Sequence, residues 1–190
     1  MIIGISGKIG SGKDTFANHF IKEYRKQYGV SFKNKKFGYN VKKLVSELTG
    51  VSLRICLSRN GKLTYLPEWG MTVGEMQQKL GTDAVRNNIH KDAWVLSLFG
   101  KYKKDVDNWI ISDVRFINEA DIIKSKGGIL IRLEGDPKSV KKNDKRDMNH
   151  ESETQLDNYK NFDYVFQNTL PISNLDNFIK DIIFKLKKDS

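Results

Sequence analysis

The stretch IIGISGKIGSGKDTFANHFIKEY, residues 2–24, decides the fold. Residues 2–6 are an apolar run ending in small side chains, the pattern of a strand buried on both faces. From Asp14 onward apolar residues recur at Phe16, Ala17, Phe20, Ile21 and Tyr24, a helical spacing, and Gly29 is placed to end that helix. Between strand and helix, Gly7-Lys8-Ile9-Gly10-Ser11-Gly12-Lys13 sets two glycines five apart and follows the second with Lys. In a chain this rich in Lys and Gly the spacing alone is a weak signal. Its position, directly after a buried strand and opening an amphipathic helix, makes it specific. Glycine lets the backbone wrap closely around a phosphate, and the loop N–H groups with the helix N-terminus supply positive potential. Gly10, Ser11, Gly12 and Lys13 are therefore candidate ATP-binding residues, with Lys13 reaching the β- and γ-phosphates. Asp14 stands where this loop usually carries Ser or Thr, and Thr15 follows. A carboxylate is a good ligand for a hard cation and suits a helix N-terminus, so Asp14 is a candidate Mg²⁺ ligand or simply a first-turn residue. Thr15 would then donate to a nucleotide phosphate.

Outward from this stretch, apolar patterning predicts a short strand at 37–40 and a helix over 41–48 closed by Gly50. Asn60-Gly61, between LRICLS and KLTYL, predicts a β-hairpin over 53–66. Thr72-Val73-Gly74-Glu75 reads as a capping box opening a helix with Met76, Leu80, Ala84, Val85 and Ile89 on one side. A short helix at 92–99 stops at Gly100. Strands follow at 109–112, 129–133 and 162–166, with helices over 117–126 and, capped by Ser173, along Leu175, Phe178, Ile179, Ile182, Ile183 and Leu186. Alternation of this kind builds an α/β fold. We expect a three-layer α/β/α phosphate-loop NTPase with a five-stranded, mostly parallel sheet. A single domain over 1–190 is the default at this length, with a small insertion at about 41–100 and a lid at about 136–152.

The composition narrows the class. With 38% hydrophobic and 29% charged residues the chain is neither disordered nor membrane-spanning, and MIIGISGKIG lacks the basic flank of a signal peptide. One cysteine, Cys56 between Ile55 and Leu57, excludes an internal disulfide framework or a Cys-based zinc site and reads as a small buried hydrophobe. These features point to a cytoplasmic protein. The net charge of +10 suggests nucleic acid, but residues 22–43 carry eight Lys/Arg against one acid, so most of the excess is local. The first helix runs away from the phosphates by about 1.5 Å per residue, so Lys33, Lys35 and Lys36 are expected at the opposite rim, and only Lys42 and Lys43 return. The basic block reads as a solvated face, and no nucleic-acid partner is expected.

Trp109-Ile110-Ile111-Ser112-Asp113 is an apolar strand with Asp at its carboxyl end, where ligands of open α/β sheets bind. Asp113 is a candidate for Mg²⁺ or the acceptor side. Arg115, two residues on, can clamp an acceptor phosphate bidentately, or serve a surface ion pair. The loop 138–147 carries Lys138, Lys141, Lys142, Lys145 and Arg146 among three acids. It suits a lid that excludes water and neutralises a transferring phosphoryl group, or a solvated loop.

The blocks GKDT (12–15), MQQKLGTDAVRNN (76–88), ISDVRFINEAD (111–121), GGILIRL (127–133), HESETQLD (150–157) and FDYVFQN (162–168) together resemble the deoxynucleoside monophosphate kinases of bacteriophages and related viruses. The resemblance implies transfer of the ATP γ-phosphate to a deoxynucleoside monophosphate with Mg²⁺. It implies that Lys13 and Thr15 bind ATP phosphates and that Asp113 and Arg115 serve the acceptor. Gln78 and Arg86 fall on the acceptor-binding helix. Arg132, Lys142 and Arg146 would face the phosphates. His150 and Glu153 match a family HxxE, and Asn168 is placed to line the adenine pocket. Residues 50–70 match least, which leaves the base preference open. A phosphomevalonate kinase-like enzyme shares the GKD loop and the Ser-Asp-x-Arg rim, and the 76–88 block favours the nucleotide reading. A DNA-stimulated ATPase is the alternative from another class. An even-numbered homo-oligomer, such as a homodimer, is compatible with the sequence.

Overall fold

The computed structural model describes residues 1–135, 149–169 and 172–188. Five strands form one sheet in the order β2 (Lys33–Lys35), β5 (Trp109–Val114), β1 (Ile2–Ser6), β6 (Ile129–Glu134), β7 (Tyr164–Gln167). Every pairing is parallel, so the expectation of a mostly parallel sheet sharpens to an all-parallel one. The central strands are apolar on both faces. Ile3 and Ile5 of β1, with Ile110, Ile131 and Leu133, pack against Phe16 and Phe20 of α1 (Lys13–Tyr28) and Leu175, Ile179 and Ile182 of α8 (Ile172–Lys188). On the other face Ile2, Ile111, Val114 and Leu130 meet Val41 of α2 (Tyr39–Thr49), Trp94 and Val95 of α5 (Ala93–Phe99), and Ala120 and Ile123 of α6 (Ile117–Ser125). Burial of this size on two faces fixes β1 at the centre and places the turn after it at the carboxyl rim of the sheet.

Gly29 ends α1 in the left-handed conformation, its N–H returning to Arg25, and Gly50 does the same for α2. The capping box at Thr72 forms as expected. Its hydroxyl accepts from the Glu75 N–H, and the Glu75 carboxylate accepts from the Thr72 N–H.

Several local expectations are corrected. The second strand lies at Lys33–Lys35 and not at 37–40. This edge strand reads Lys-Asn-Lys and buries almost nothing, so it carries no apolar signature. The hairpin predicted around Asn60-Gly61 is instead a short helix, α3 (Leu53–Leu57), followed by a 3₁₀ turn over Asn60–Leu63. The type I′ hairpin turn that Asn-Gly favours needs positive φ at both central positions, and type II′ at the first, and neither residue has it. Gly61 is required by space, since a Cβ there would lie 2.1 Å from the Ile55 carbonyl oxygen. The antiparallel ladder forms one step later, between β3 (Tyr65–Leu66) and β4 (Met71–Thr72). Ser173 lies inside α8 and does not cap it.

The helix α4 (Val73–Gln78) widens into a π-helical segment over Lys79–Arg86. The wider turn changes which side chains face inward. Gly81, Thr82 and Arg86 are buried, whereas Ala84 and Ile89, expected on the apolar side, are exposed. Cys56 is fully buried, as expected, with Val45, Leu66, Val73 and Met76 in a small satellite core. No helix among the described residues is long and apolar enough to cross a membrane.

Candidate active site

The turn after β1 is a glycine loop held from below. Gly10 and Gly12 have φ of 86° and 90°, values that side-chain-bearing residues rarely adopt. A Cβ on Gly12 would also lie 2.4 Å from the Asn168 side-chain nitrogen. That nitrogen donates to the Ser11 carbonyl at 2.8 Å, so Asn168, just past β7, straps the loop directly. The Ser11 hydroxyl is buried, without a hydrogen-bond partner among the described residues. Lys8 in the loop pairs with Asp157 at 2.5 Å, and Arg132 on β6 donates to the same carboxylate and to the Ser6 hydroxyl, both at 3.1 Å. These contacts tie Arg132 to the end of β1 and to Asp157.

Lys13 folds back over the loop and donates to the Gly7 and Lys8 carbonyls, both at 2.7 Å. Burial, reinforced by the nearby Arg115 charge, pushes its ammonium down to about 7, against the pull of Glu153, Asp14 and Asp113. Asp14, in the first turn of α1, accepts from Lys36 at 2.6 Å and from the Ser112 hydroxyl at 3.0 Å. Burial raises the Asp14 carboxyl, but these hydrogen bonds and the Lys36 and Lys13 charges outweigh it and hold the group below the usual carboxylate value. Lys36 was expected at the far rim. Because β2 runs parallel to β5 and ends at Lys35, Lys36 emerges on the site side. Lys33, at the other end of the strand, pairs with Asp107 at 3.1 Å and does lie at the opposite rim.

Asp113 turns both oxygens onto the chain, accepting from the Phe37 N–H at 2.9 Å and the Gly38 N–H at 3.0 Å. It thus fixes the start of α2 against the end of β5. Arg115 donates to the Glu153 carboxylate and to the Ser152 carbonyl at 2.9 Å, joining the β5 rim to α7 (Glu151–Thr154). The second Glu153 oxygen is buried without a partner among the described residues. His150 caps α7, accepting from the Ser152 N–H, and its other nitrogen lies 3.5 Å from Asp83. Arg86 is buried against the Phe116 ring, 3.6 Å from its centre, and donates to Glu119 at 2.7 Å, Asn118 at 3.0 Å and the Lys91 carbonyl at 2.9 Å. Glu119 also accepts from the Arg115 and Phe116 N–H groups at the head of α6. Burial pushes its carboxyl up to about 7, opposed chiefly by Arg86.

These residues surround one cleft of about 420 Å³. Gly10, Gly12, Lys13, Asp14, Thr15 and Asn168 line it on the loop side, and Gln78, Arg86, Asp113, Arg115 and Glu153 on the other. Arg132 and His150 are not part of its wall, and Lys142 and Arg146 lie outside the described residues, as does most of the expected lid. Sequence reasoning missed Lys36, Ser112, Glu119 and Asp157. Glu119 had a readable signal, three residues after Phe116 at a helix start, where a carboxylate reaches back to the cap amide.

An all-parallel α/β/α sheet whose central strand feeds a glycine loop and Lys at a helix N-terminus is a phosphate-loop nucleotide-binding architecture, the one phosphate-loop kinases use. A family model described as deoxynucleotide monophosphate kinase matches residues 54–179. A protein of Acanthamoeba polyphaga mimivirus, "Putative deoxynucleotide monophosphate kinase", is 33% identical over 188 residues, covering 90% of each chain. The chain belongs to the deoxynucleotide monophosphate kinase family. The family match begins beyond the glycine loop, so the assignment of that loop rests on its own geometry.

Proposed function

We propose that this kinase transfers the γ-phosphate of ATP to the phosphate of a deoxynucleoside monophosphate, giving the diphosphate and ADP. The observation that carries the reading is the one cleft whose wall includes the glycine loop, Arg115, Gln78 and Arg86 together. In this reading the loop N–H groups, Lys13 and Thr15 hold the ATP phosphates. Arg115 and Asp113 orient the acceptor phosphate, and Gln78 and Arg86 bound the nucleoside. The acceptor phosphate is already a competent nucleophile, so the protein positions reactants and neutralises charge without a covalent intermediate.

Asp14 and the Ser112 hydroxyl offer hard oxygens 3.0 Å apart beside the loop, a set that suits Mg²⁺, which takes one or two carboxylates plus substrate phosphates. Asp14 is the better ligand, because Lys36 and Ser112 both donate to its Oδ1, whereas amides engage both oxygens of Asp113. Bound there, Mg²⁺ would neutralise phosphate charge. Asp14 and Ser112 keep that ligand pair oriented, and Lys36 holds the Asp14 carboxylate ionised. Residues 41–100, with their satellite core, act as the acceptor-binding insertion of one phosphate-loop domain.

The test is ADP release measured across all deoxynucleoside and ribonucleoside monophosphates and phosphomevalonate, with and without Mg²⁺. The reading expects Mg²⁺-dependent turnover with at least one deoxynucleoside monophosphate. Turnover confined to phosphomevalonate, or ATP hydrolysis stimulated only by DNA, overturns it.

A further inference from the structure

The cations around Asp14 and Asp113 are unequal in what they are free to do. Lys13 is occupied by two loop carbonyls, Lys36 by Asp14, Arg115 by Glu153 and Ser152, and Arg86 by Glu119 and its neighbours. Lys42, which also lines the cleft, makes no hydrogen bond or ion pair among the described residues. Its position is nonetheless firmly set. It lies one turn into α2, and the two amides that precede that helix are clamped on Asp113. Lys42 shares the cleft wall with Asp14 and Lys36 on the loop side and with Asp113 and Arg115 at the β5 rim. Asp113 acts on it only through its charge: its two oxygens accept from the Phe37 and Gly38 amides, and no hydrogen bond or ion pair among the described residues joins it to Lys42.

Lys42 is half-buried, and this partial loss of water pulls its ammonium below the ordinary lysine value, with Asp113 opposing. A cleft-lining ammonium without a partner among the described residues is free to donate to a ligand that brings acceptors. The ligand chemistry is narrow. It must be anionic, carry several oxygen acceptors and enter the cleft between the glycine loop and Arg115.

We propose that Lys42 binds the acceptor phosphate, making it a substrate-contacting residue of the transfer reaction. The proposal rests on the kinase reading given above and extends it to a side chain outside the glycine loop and the β5 rim. Asp113 then acts on the acceptor through α2. By holding Phe37 and Gly38 it fixes where the Lys42 ammonium stands. The alternative source of the same phosphate chemistry is the ATP γ-phosphate, and the two are separable by binding each nucleotide alone.

The experiment compares the wild type with Lys42→Met, which keeps the apolar stem, and Lys42→Arg, which keeps the charge. Each of the four common deoxynucleoside monophosphates is titrated without ATP, ATP is titrated without acceptor, and steady-state kinetics are measured with both. A charged hydrogen bond of ordinary strength predicts an acceptor kcat/KM about 10- to 100-fold lower in Lys42→Met. The ATP dissociation constant should stay within about twofold, and Lys42→Arg should recover most of the loss. Acceptor binding and kcat/KM within threefold of wild type in a folded Lys42→Met protein overturn the proposal. So does a loss that falls on ATP binding alone. Far-UV circular dichroism and the urea midpoint report folding, and Lys42→Gln replaces Lys42→Met if the latter does not fold. A wild type that turns over no deoxynucleoside monophosphate refutes the kinase reading itself, a result distinct from normal wild-type turnover with an indifferent Lys42.

Discussion

Nucleotide binding should take up a proton at Lys13. In the free protein the Lys13 ammonium is pushed down to about 7 by burial and Arg115. A polyphosphate beside it restores the charged form, returning the group toward its ordinary value of about 10.4. The sign follows. Between about pH 7 and pH 10 the free protein carries a largely neutral Lys13 and the complex a charged one, so binding is proton-linked and weakens as pH rises. At pH 8, one unit above the free value, about nine-tenths of Lys13 is neutral before binding. The apparent dissociation constant should then be about tenfold above its low-pH limit, and about 100-fold above it at pH 9. ADP is the suitable probe, because its phosphates are almost fully ionised at about pH 8 and above and add little proton of their own. Isothermal titration calorimetry in buffers of different ionisation enthalpy counts the protons directly. The expectation is close to one taken up per ADP at pH 8, falling away toward pH 6. In Lys13→Arg, whose guanidinium stays charged, the uptake disappears. A flat dissociation constant from pH 7 to 9 with no proton uptake in the wild type would refute the placement of a neutral Lys13 in the free site.

Glu119→Ala removes three hydrogen bonds and leaves Arg86 buried beside a void. It should cost about 3–5 kcal/mol in urea unfolding at pH 7, with Glu119→Gln milder, and a loss under about 1 kcal/mol would show that the pair is not buried as described. Gly12→Ala places a Cβ 2.4 Å from Asn168 on backbone at φ 90°. Its ATP affinity should fall at least about tenfold, and Asn168→Ala should rescue it only in part, because the strained φ persists. Turnover should be unchanged within about twofold on neutralising Lys33 and Lys35, yet fall about tenfold in Lys36→Ala, which removes the partner of Asp14. Equal effects from Lys33 and Lys36 would contradict the direction assigned to β2.

The centre of the fold was legible because apolar runs and glycines carry strong local physics. Residues 2–29, the strands at 109 and 129 and the capping box at Thr72 all state their structure within a few residues. Three features were not legible, each for its own reason. The edge strand at Lys33–Lys35 is polar, so its pairing comes only from β5, and misplacing it sent Lys36 to the wrong rim. Asn60-Gly61 carries a turn signal that serves a close approach to Ile55 and not a hairpin. The π-helical widening at Lys79–Arg86 breaks the 3.6-residue period, so a periodicity argument put Ala84 and Ile89 inside where Arg86 belongs. In the site, glycine loop and rim residues were readable from motif position. The partners that restrain them, Glu119 on Arg86 and Asp157 on Lys8, depend on contacts across 33 and 149 residues of sequence, which no local pattern announces.

The central claim is that the glycine loop and the Arg115–Arg86 cleft are two halves of one transfer site. It is tested most directly by following phosphate from ATP labelled at the γ-position in the presence of a deoxynucleoside monophosphate. The account predicts that label appears in the deoxynucleoside diphosphate in step with ADP, and that Lys13→Ala abolishes both. Label released as inorganic phosphate at the same rate with and without the acceptor would contradict it.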